Sequence, residues 1–244
     1  MSLSAKAQPE QLVLALPHRQ AQEAEDFLVS QSNAAAVELV DGWPDWGRAA
    51  ALVTGPRGAG KSHLANVWRL RSHAHLVAAA DLDDGSVGKL EERGALVVED
   101  IDRGIASEQV LFHLLNFARE KAGSILLTSR AAPGDIEIGL PDLRSRLRAI
   151  PPVHIAPPDD ALLRSVLVKL FSDRQLAVEP HVIAYIALHV DRAMDAVLGV
   201  VAACDRLSLA RQGKITRAVA AAALESDAPD RDDERADADG DPEH

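Results

Sequence analysis

Gly55-Pro56-Arg57-Gly58-Ala59-Gly60-Lys61-Ser62 matches the pattern G-x-x-x-x-G-K-[ST], a loop built to bind phosphate. Its glycines let the backbone turn tightly and aim N–H groups at phosphate oxygens. Lys61 reaches the β- and γ-phosphates, and the Ser62 hydroxyl holds Mg²⁺. A helix starting at Lys61 adds the positive end of its dipole. The flanking sequence supplies the context this motif needs. Ala49-Ala50-Ala51-Leu52-Val53-Thr54 is a short apolar run suited to a buried strand, and His63-Leu64-Ala65-Asn66-Val67-Trp68-Arg69-Leu70 reads as a helix. Strand, glycine loop and helix make Gly55 to His63 the expected nucleotide-binding stretch.

Three further strands follow downstream. His75-Leu76-Val77-Ala78-Ala79-Ala80 is the second, Ala95-Leu96-Val97-Val98-Glu99-Asp100 the third, and Ser124-Ile125-Leu126-Leu127-Thr128-Ser129-Arg130 the fourth. Helices are expected between them over 87–93 and 107–121, the latter with Val110, Leu111, Leu114, Leu115 and Phe117 as its apolar set. Strands alternating with helices predict an α/β fold, a parallel sheet flanked by helices, and strands apolar throughout fit a sheet covered on both faces. Ligands then bind beyond the carboxyl ends of the strands. The glycine loop, Glu99-Asp100 and Thr128-Ser129 all fall there.

Each of these groups has a chemical role open to it. Glu99 and Asp100, with Ser62, can hold Mg²⁺ directly or through water, and Asp100 can orient or deprotonate an attacking water. Thr128 and Ser129 can hydrogen-bond the γ-phosphate or that water, or simply cap the strand end. Leu143-Arg144-Ser145-Arg146-Leu147-Arg148 spaces three arginines two apart. On a helix they fan around the surface, so they form either a solvated, salt-bridged face or a means of offering one arginine to a neighbouring subunit's nucleotide. Arg192, read as starting a helix, can reach back to the phosphates.

Composition narrows the class. The chain has 244 residues, enough for one large domain or two small ones. No apolar run is long enough to span a membrane, and Met1-Ser2-Leu3-Ser4-Ala5-Lys6 lacks the apolar core of a signal peptide. One cysteine, Cys204, excludes an intramolecular disulfide and a cysteine-rich metal site, and reads as a core residue. The net charge is −11; nine acids and two arginines between Asp227 and His244 account for −7 of it, leaving −4 for the rest. A body without basic excess argues against extensive binding to a phosphate backbone.

At the ends, Gln11-Leu12-Val13-Leu14-Ala15-Leu16 places three leucines on one face of an extended segment. It is either an edge strand of this domain or a peptide that docks on a partner. Residues 21–40 read as mostly helical, with Ser32 or Asn33 as the N-cap. Trp43 and Trp46 lie in a turn and read as packing anchors. Pro151–Pro158 reads as a proline-punctuated crossing into a helical region, with helices over 159–174, 179–189, 191–211 and 216–224. The acidic stretch after Ser226 reads as disordered. The expected division is an N-terminal tail over 1–20, a nucleotide-binding α/β domain over 21–156, a helical lid over 157–225 and an acidic tail over 226–244.

Phosphate loop, acidic strand end, hydroxyl strand end, arginine helix and small helical domain, in that order, resemble the AAA+ ATPases and in particular the AAA+ domain of the replication initiator DnaA. Glu25 to Ala35 resembles the stretch that lines the adenine pocket there, which implies that Phe27 and Val29 contact the base. Gly60-Lys61-Ser62-His63-Leu64 is similar to the Gly-Lys-Thr-His-Leu of DnaA, and Glu99-Asp100-Ile101 to its Asp-Asp-Ile. The 143–147 stretch resembles its arginine-finger motif and points to Arg146. Asp191-Arg192-Ala193-Met194 resembles its second sensor and points to Arg192. The match covers about residues 22–225. No DNA-binding helix-turn-helix domain and no long N-terminal domain are expected. Gln11, Leu12, Leu14 and Leu16 instead resemble a peptide that binds the DNA polymerase III sliding clamp (its β subunit).

This combination is similar to the Hda (HdaA) family of DnaA-related regulators. The resemblance implies a cytoplasmic, replisome-associated protein that holds ADP or ATP with Mg²⁺, sits on the clamp, and offers Arg146 to ATP bound by DnaA. Homo-oligomers are possible in such a family, and little direct DNA binding is implied. Glu99 stands where DnaA has Asp, which implies weak turnover at the protein's own site. The competing readings are a stand-alone AAA+ ATPase or helicase loader, and a DNA-binding initiator paralogue.

Overall fold

The computed structural model describes residues 28–211 and 213–226. The expected clamp peptide (Gln11, Leu12, Leu14, Leu16), Phe27 and the acidic tail lie outside them. Five parallel strands stand in the order β2-β3-β4-β1-β5: β1 (Ala50–Thr54), β2 (His75–Ala78), β3 (Ala95–Glu99), β4 (Ser124–Ser129) and β5 (Pro152–His154). The three central strands are those with continuous apolar sequence, as two covered faces require. Their side chains alternate between two cores. Leu52, Leu96, Val98, Ile125 and Leu127 face one side, and Ala51, Val53, Ala95, Val97 and Leu126 the other.

Helices α1 (Ala34–Asp41) and α2 (Lys61–Ser72) cover the second face, and α3 (Gly85–Arg93), α4 (Glu108–Glu120) and α5 (Pro141–Arg148) cover the first. Trp68 of α2 is fully buried; Trp46 stacks on it at 5.2 Å and Trp43 meets it edge-on at 6.1 Å. The indole N–H groups of Trp43 and Trp46 donate to Ser124 Oγ and to the Leu39 carbonyl oxygen. Both are packing anchors, as expected. A separate core forms the helical lid from α6 (Asp160–Asp173), α7 (Pro180–His189), α8 (Met194–Arg211) and α9 (Arg217–Ser226), with Leu167, Phe171, Ile186, Val201 and Cys204 at its centre.

Four expectations are corrected. Pro151–Pro158 is not a bare crossing. Pro152 opens β5, which pairs with β1 through Pro152, Val153 and His154. Proline is tolerated at the start of an edge strand because no ladder bond needs its missing N–H. The second strand stops at Ala78, and Ala79–Asp81 is a 3₁₀ turn. The helix expected over 21–40 begins, among the described residues, only at Ala34. Asn33 occupies its N-cap but makes no capping bond; its side chain ties the preceding loop, accepting from Ser30 N–H (2.8 Å) and donating to the Leu28 carbonyl oxygen (2.9 Å). The helix expected from Asp191 starts at Met194, so Arg192 lies in the loop before it.

Candidate nucleotide site

The glycine loop connects β1 to α2 at the carboxyl edge of the sheet. Gly55 N–H donates to the Ser129 carbonyl oxygen (3.2 Å), which fixes the loop's start against the end of β4. A side chain at Gly55 would collide with the Ile155 carbonyl oxygen, so β5 and the loop can approach only because that residue is glycine. Lys61 is the first residue of α2 and is buried, with 7% exposed. Its Nζ donates to the carbonyl oxygens of Gly55 (2.7 Å) and Pro56 (2.9 Å), so the ammonium is folded back over the loop. Burial holds its pKa below the ordinary lysine value; the nearby Arg130 charge pushes the same way, and Asp100, Asp102 and Glu99 oppose both. Ser62 is exposed beside it, and His63 is half-buried one residue on.

The carboxylates stand at the end of β3. Glu99 is its last residue, and its Oε1 is buried with no hydrogen-bond partner among the described residues. Asp100 adopts a left-handed conformation (φ 56°), uncommon outside glycine. Its N–H donates to Thr128 Oγ1 (3.0 Å), and Ile101 N–H donates to the Thr128 carbonyl oxygen (3.0 Å). Thr128 thus holds the turn that aims Asp100, whose carboxylate lies 3.6 Å from Arg103. Ser129 is fully buried and donates to the Ala131 carbonyl oxygen (2.7 Å). Both hydroxyls therefore serve the ends of strands here. Among the described residues no cage of three or more His, Cys, Asp or Glu side chains forms. A partnerless Glu99 oxygen, Asp100 and the Ser62 hydroxyl instead make a sparse set of hard oxygens. That set fits Mg²⁺, which keeps waters and phosphate oxygens rather than filling its shell with protein.

The lid reaches this loop through residues 191–195. Met194 N–H donates to the Gly58 carbonyl oxygen (2.8 Å), and Arg57 pairs with Asp195 at 3.3 Å. Gly58 (φ +70°) accommodates this approach: a Cβ there would strike Ala193 and lie 2.7 Å from Asp195 Oδ1. Arg192 donates to the Pro158 carbonyl oxygen (3.1 Å) and to the Asp160 carboxylate. It also walls an open pocket of about 660 Å³, lined by Leu28, Val29, Ser30, Asp160 and Leu162 among others. The volume lies within the range of small-molecule sites. Val29 lines this pocket.

The three arginines of α5 divide by function. Leu143 and Leu147 anchor the helix in the core. Arg144 donates twice to the Ile138 carbonyl oxygen (2.6 and 3.1 Å), and Arg148 donates to that of Gly134 (3.4 Å). The Arg146 side chain makes no hydrogen bond or ion pair among the described residues and rests over the Phe112 ring, 6.0 Å from its centroid. The helices α5 and α2 cover opposite faces of the sheet, and among the described residues no contact joins the Arg146 side chain to Lys61, Glu99 or Asp100. The site also includes residues not singled out from sequence. Arg130 follows β4 and acts on Lys61, Asp102 accepts the Arg130 N–H (2.9 Å), and Asp160 and Asp195 hold the lid's arginine and the loop's arginine. Only the strand order and the lid contacts bring them in; no local pattern marks them.

The architecture, a five-stranded parallel sheet flanked by helices with a helical unit against the glycine loop, is similar to that of several solved structures. Domain III of the replication initiation protein DnaA from Thermotoga maritima superposes with a TM-score of 0.66 at 20% identity, over 82% of this chain and 94% of that one. The RuvB Holliday junction branch migration motor from Thermotoga maritima gives 0.63 at 16%, over 81% of this chain and 70% of that one. AMPPCP-bound DnaA from Aquifex aeolicus gives 0.62 at 18%, over 76% of this chain and 64% of that one. No family model matches the sequence, and no curated protein matches it. Among the described residues, no helix is long and apolar enough to cross a membrane.

Proposed function

We propose that this protein is an adenine-nucleotide-binding AAA+ regulator of DNA replication that stimulates hydrolysis of ATP held by DnaA and so prevents re-initiation. The observation that carries this reading is the contrast on α5. Arg144 and Arg148 are tied to loop carbonyls, whereas the Arg146 side chain is uncommitted and stands on α5, which covers the opposite face of the sheet from α2. An arginine supplied in trans stabilises the charge of phosphoryl transfer and raises such rates by roughly 10³–10⁵.

The glycine loop, the Val29 pocket and Arg192 hold ADP or ATP with Mg²⁺ at Glu99, Asp100 and Ser62. This nucleotide acts as a switch for the lid. Asp100, with Thr128 and Ser129 behind it, sets what turnover the site has, and the longer Glu99 side chain keeps that turnover weak. Residues 11–16 dock on the DNA-loaded sliding clamp, which brings the regulator to DnaA. The test is hydrolysis of ATP by purified DnaA with this protein, ADP and DNA-loaded clamp. Stimulation lost in Arg146→Ala and in the Leu12→Ala, Leu14→Ala pair supports the reading. Unchanged DnaA hydrolysis beside robust partner-free turnover that needs Lys61 replaces it with a stand-alone ATPase.

A further inference from the structure

Arg192 sits between two places where an anion can stand, and it is held at one of them. Its guanidinium donates to the Pro158 carbonyl oxygen and to the Asp160 carboxylate. Asp160 is the first residue of α6, where the helix dipole favours a negative charge whatever Arg192 does. Its neighbour Asp159 is occupied elsewhere, capping the helix by accepting the Leu162 N–H (2.7 Å). Asp160 is therefore a fixed anion with Arg192 as its partner.

The other place is the glycine loop. Ala193 abuts Gly58 so closely that no side chain fits there, and Met194 N–H is bonded to the Gly58 carbonyl oxygen. The backbone just after Arg192 is thus already seated on the loop. Because the next residue, Ala193, touches Gly58, the Arg192 side chain starts beside the loop that would hold a phosphate. The pair is also cheap to break. Arg192 and Asp160 are 52% and 62% exposed, and exposed ion pairs contribute little. A phosphate offers the guanidinium a more highly charged, bidentate partner.

We propose that Asp160 is a competing anion that holds Arg192 away from the glycine loop until nucleotide phosphate displaces it, and that it thereby sets the protein's nucleotide affinity. This rests on Arg192 being a nucleotide ligand. The experiment is calorimetric titration of the full chain with ADP for the wild type, Asp160→Asn, Arg192→Ala and the double variant. Asp160→Asn keeps the size of the side chain and removes its charge. It is expected to tighten ADP binding by about two- to fivefold, the range in which an exposed ion pair competes. Arg192→Ala is expected to weaken binding, and Asp160→Asn to add nothing in that background. Unchanged or weaker binding by Asp160→Asn overturns the proposal, and so does a gain that persists without Arg192. If Arg192→Ala binds ADP like the wild type, Arg192 is not a nucleotide ligand and the underlying assignment falls with it.

Discussion

Gly58→Ala tests whether the lid is clipped to the phosphate loop in the way described. The added Cβ must sit at φ +70° and meets Ala193 head-on, with Asp195 Oδ1 2.7 Å away. The left-handed conformation alone costs about 1–2 kcal/mol for a residue with a Cβ. Relieving the collision pushes the 191–195 loop back and breaks the Met194–Gly58 hydrogen bond, about 1 kcal/mol more. The Arg57–Asp195 pair is 78% and 52% exposed and adds a few tenths at most. The total of about 2–3 kcal/mol is divided between fold stability and the nucleotide-bound state. Thermal unfolding of the free protein and calorimetric titration with ADP read the two shares. The expected result is a midpoint lowered by roughly 4–10 °C, or ADP binding weakened by roughly 30-fold or more, or a mixture summing to the same free energy. An unchanged midpoint together with unchanged ADP affinity would refute the contact.

The depressed pKa of Lys61 gives a signed pH dependence. Its folded-state pKa lies below the unfolded value of 10.5, so between the two the unfolded chain binds more protons and stability rises with pH. The unfolding midpoint of the wild type should therefore gain on that of Lys61→Met as pH is raised toward 10.5, and a constant difference would contradict the burial argument. Arg144→Ala should destabilise the fold by about 1–3 kcal/mol through loss of a charged donor to the Ile138 carbonyl. Arg146→Ala should lower the midpoint by no more than about 1–4 °C, since its ring contact is worth about 0.5–1 kcal/mol at most. Equal losses in the two variants would remove the distinction drawn between them. Cys204 is fully buried, with its thiol pushed up to about 11 by desolvation. It should react with a thiol reagent only as the protein unfolds; rapid labelling under native conditions would mean that the lid core opens.

The sheet and its carboxyl edge were legible because the information is local. A strand, a glycine loop and a helix follow one another in sequence, and Ala95–Glu99 and Ser124–Ser129 are apolar enough to admit one reading. Strand β5 was not legible: three residues opened by proline carry no periodic signal, and only pairing with β1 makes them a strand. Arg192 fell outside its expected helix because the Asp191-Arg192-Ala193 segment bends to meet Gly58, a tertiary contact without a local signature. The arginine triplet showed that a choice existed among Arg144, Arg146 and Arg148. Carbonyls from the 134–138 loop, distant in type from anything the triplet encodes, decide which one is left uncommitted.

The most direct test of the central claim is a single-turnover assay. DnaA is loaded with labelled ATP and freed of excess nucleotide, so that hydrolysis at this protein's own site goes unseen. This protein is then added with ADP and DNA-loaded clamp, as the wild type or as Arg146→Ala. Acceleration by the wild type and none by the folded Arg146→Ala variant is the predicted result. Equal acceleration by both, or none by either, would contradict an arginine offered in trans.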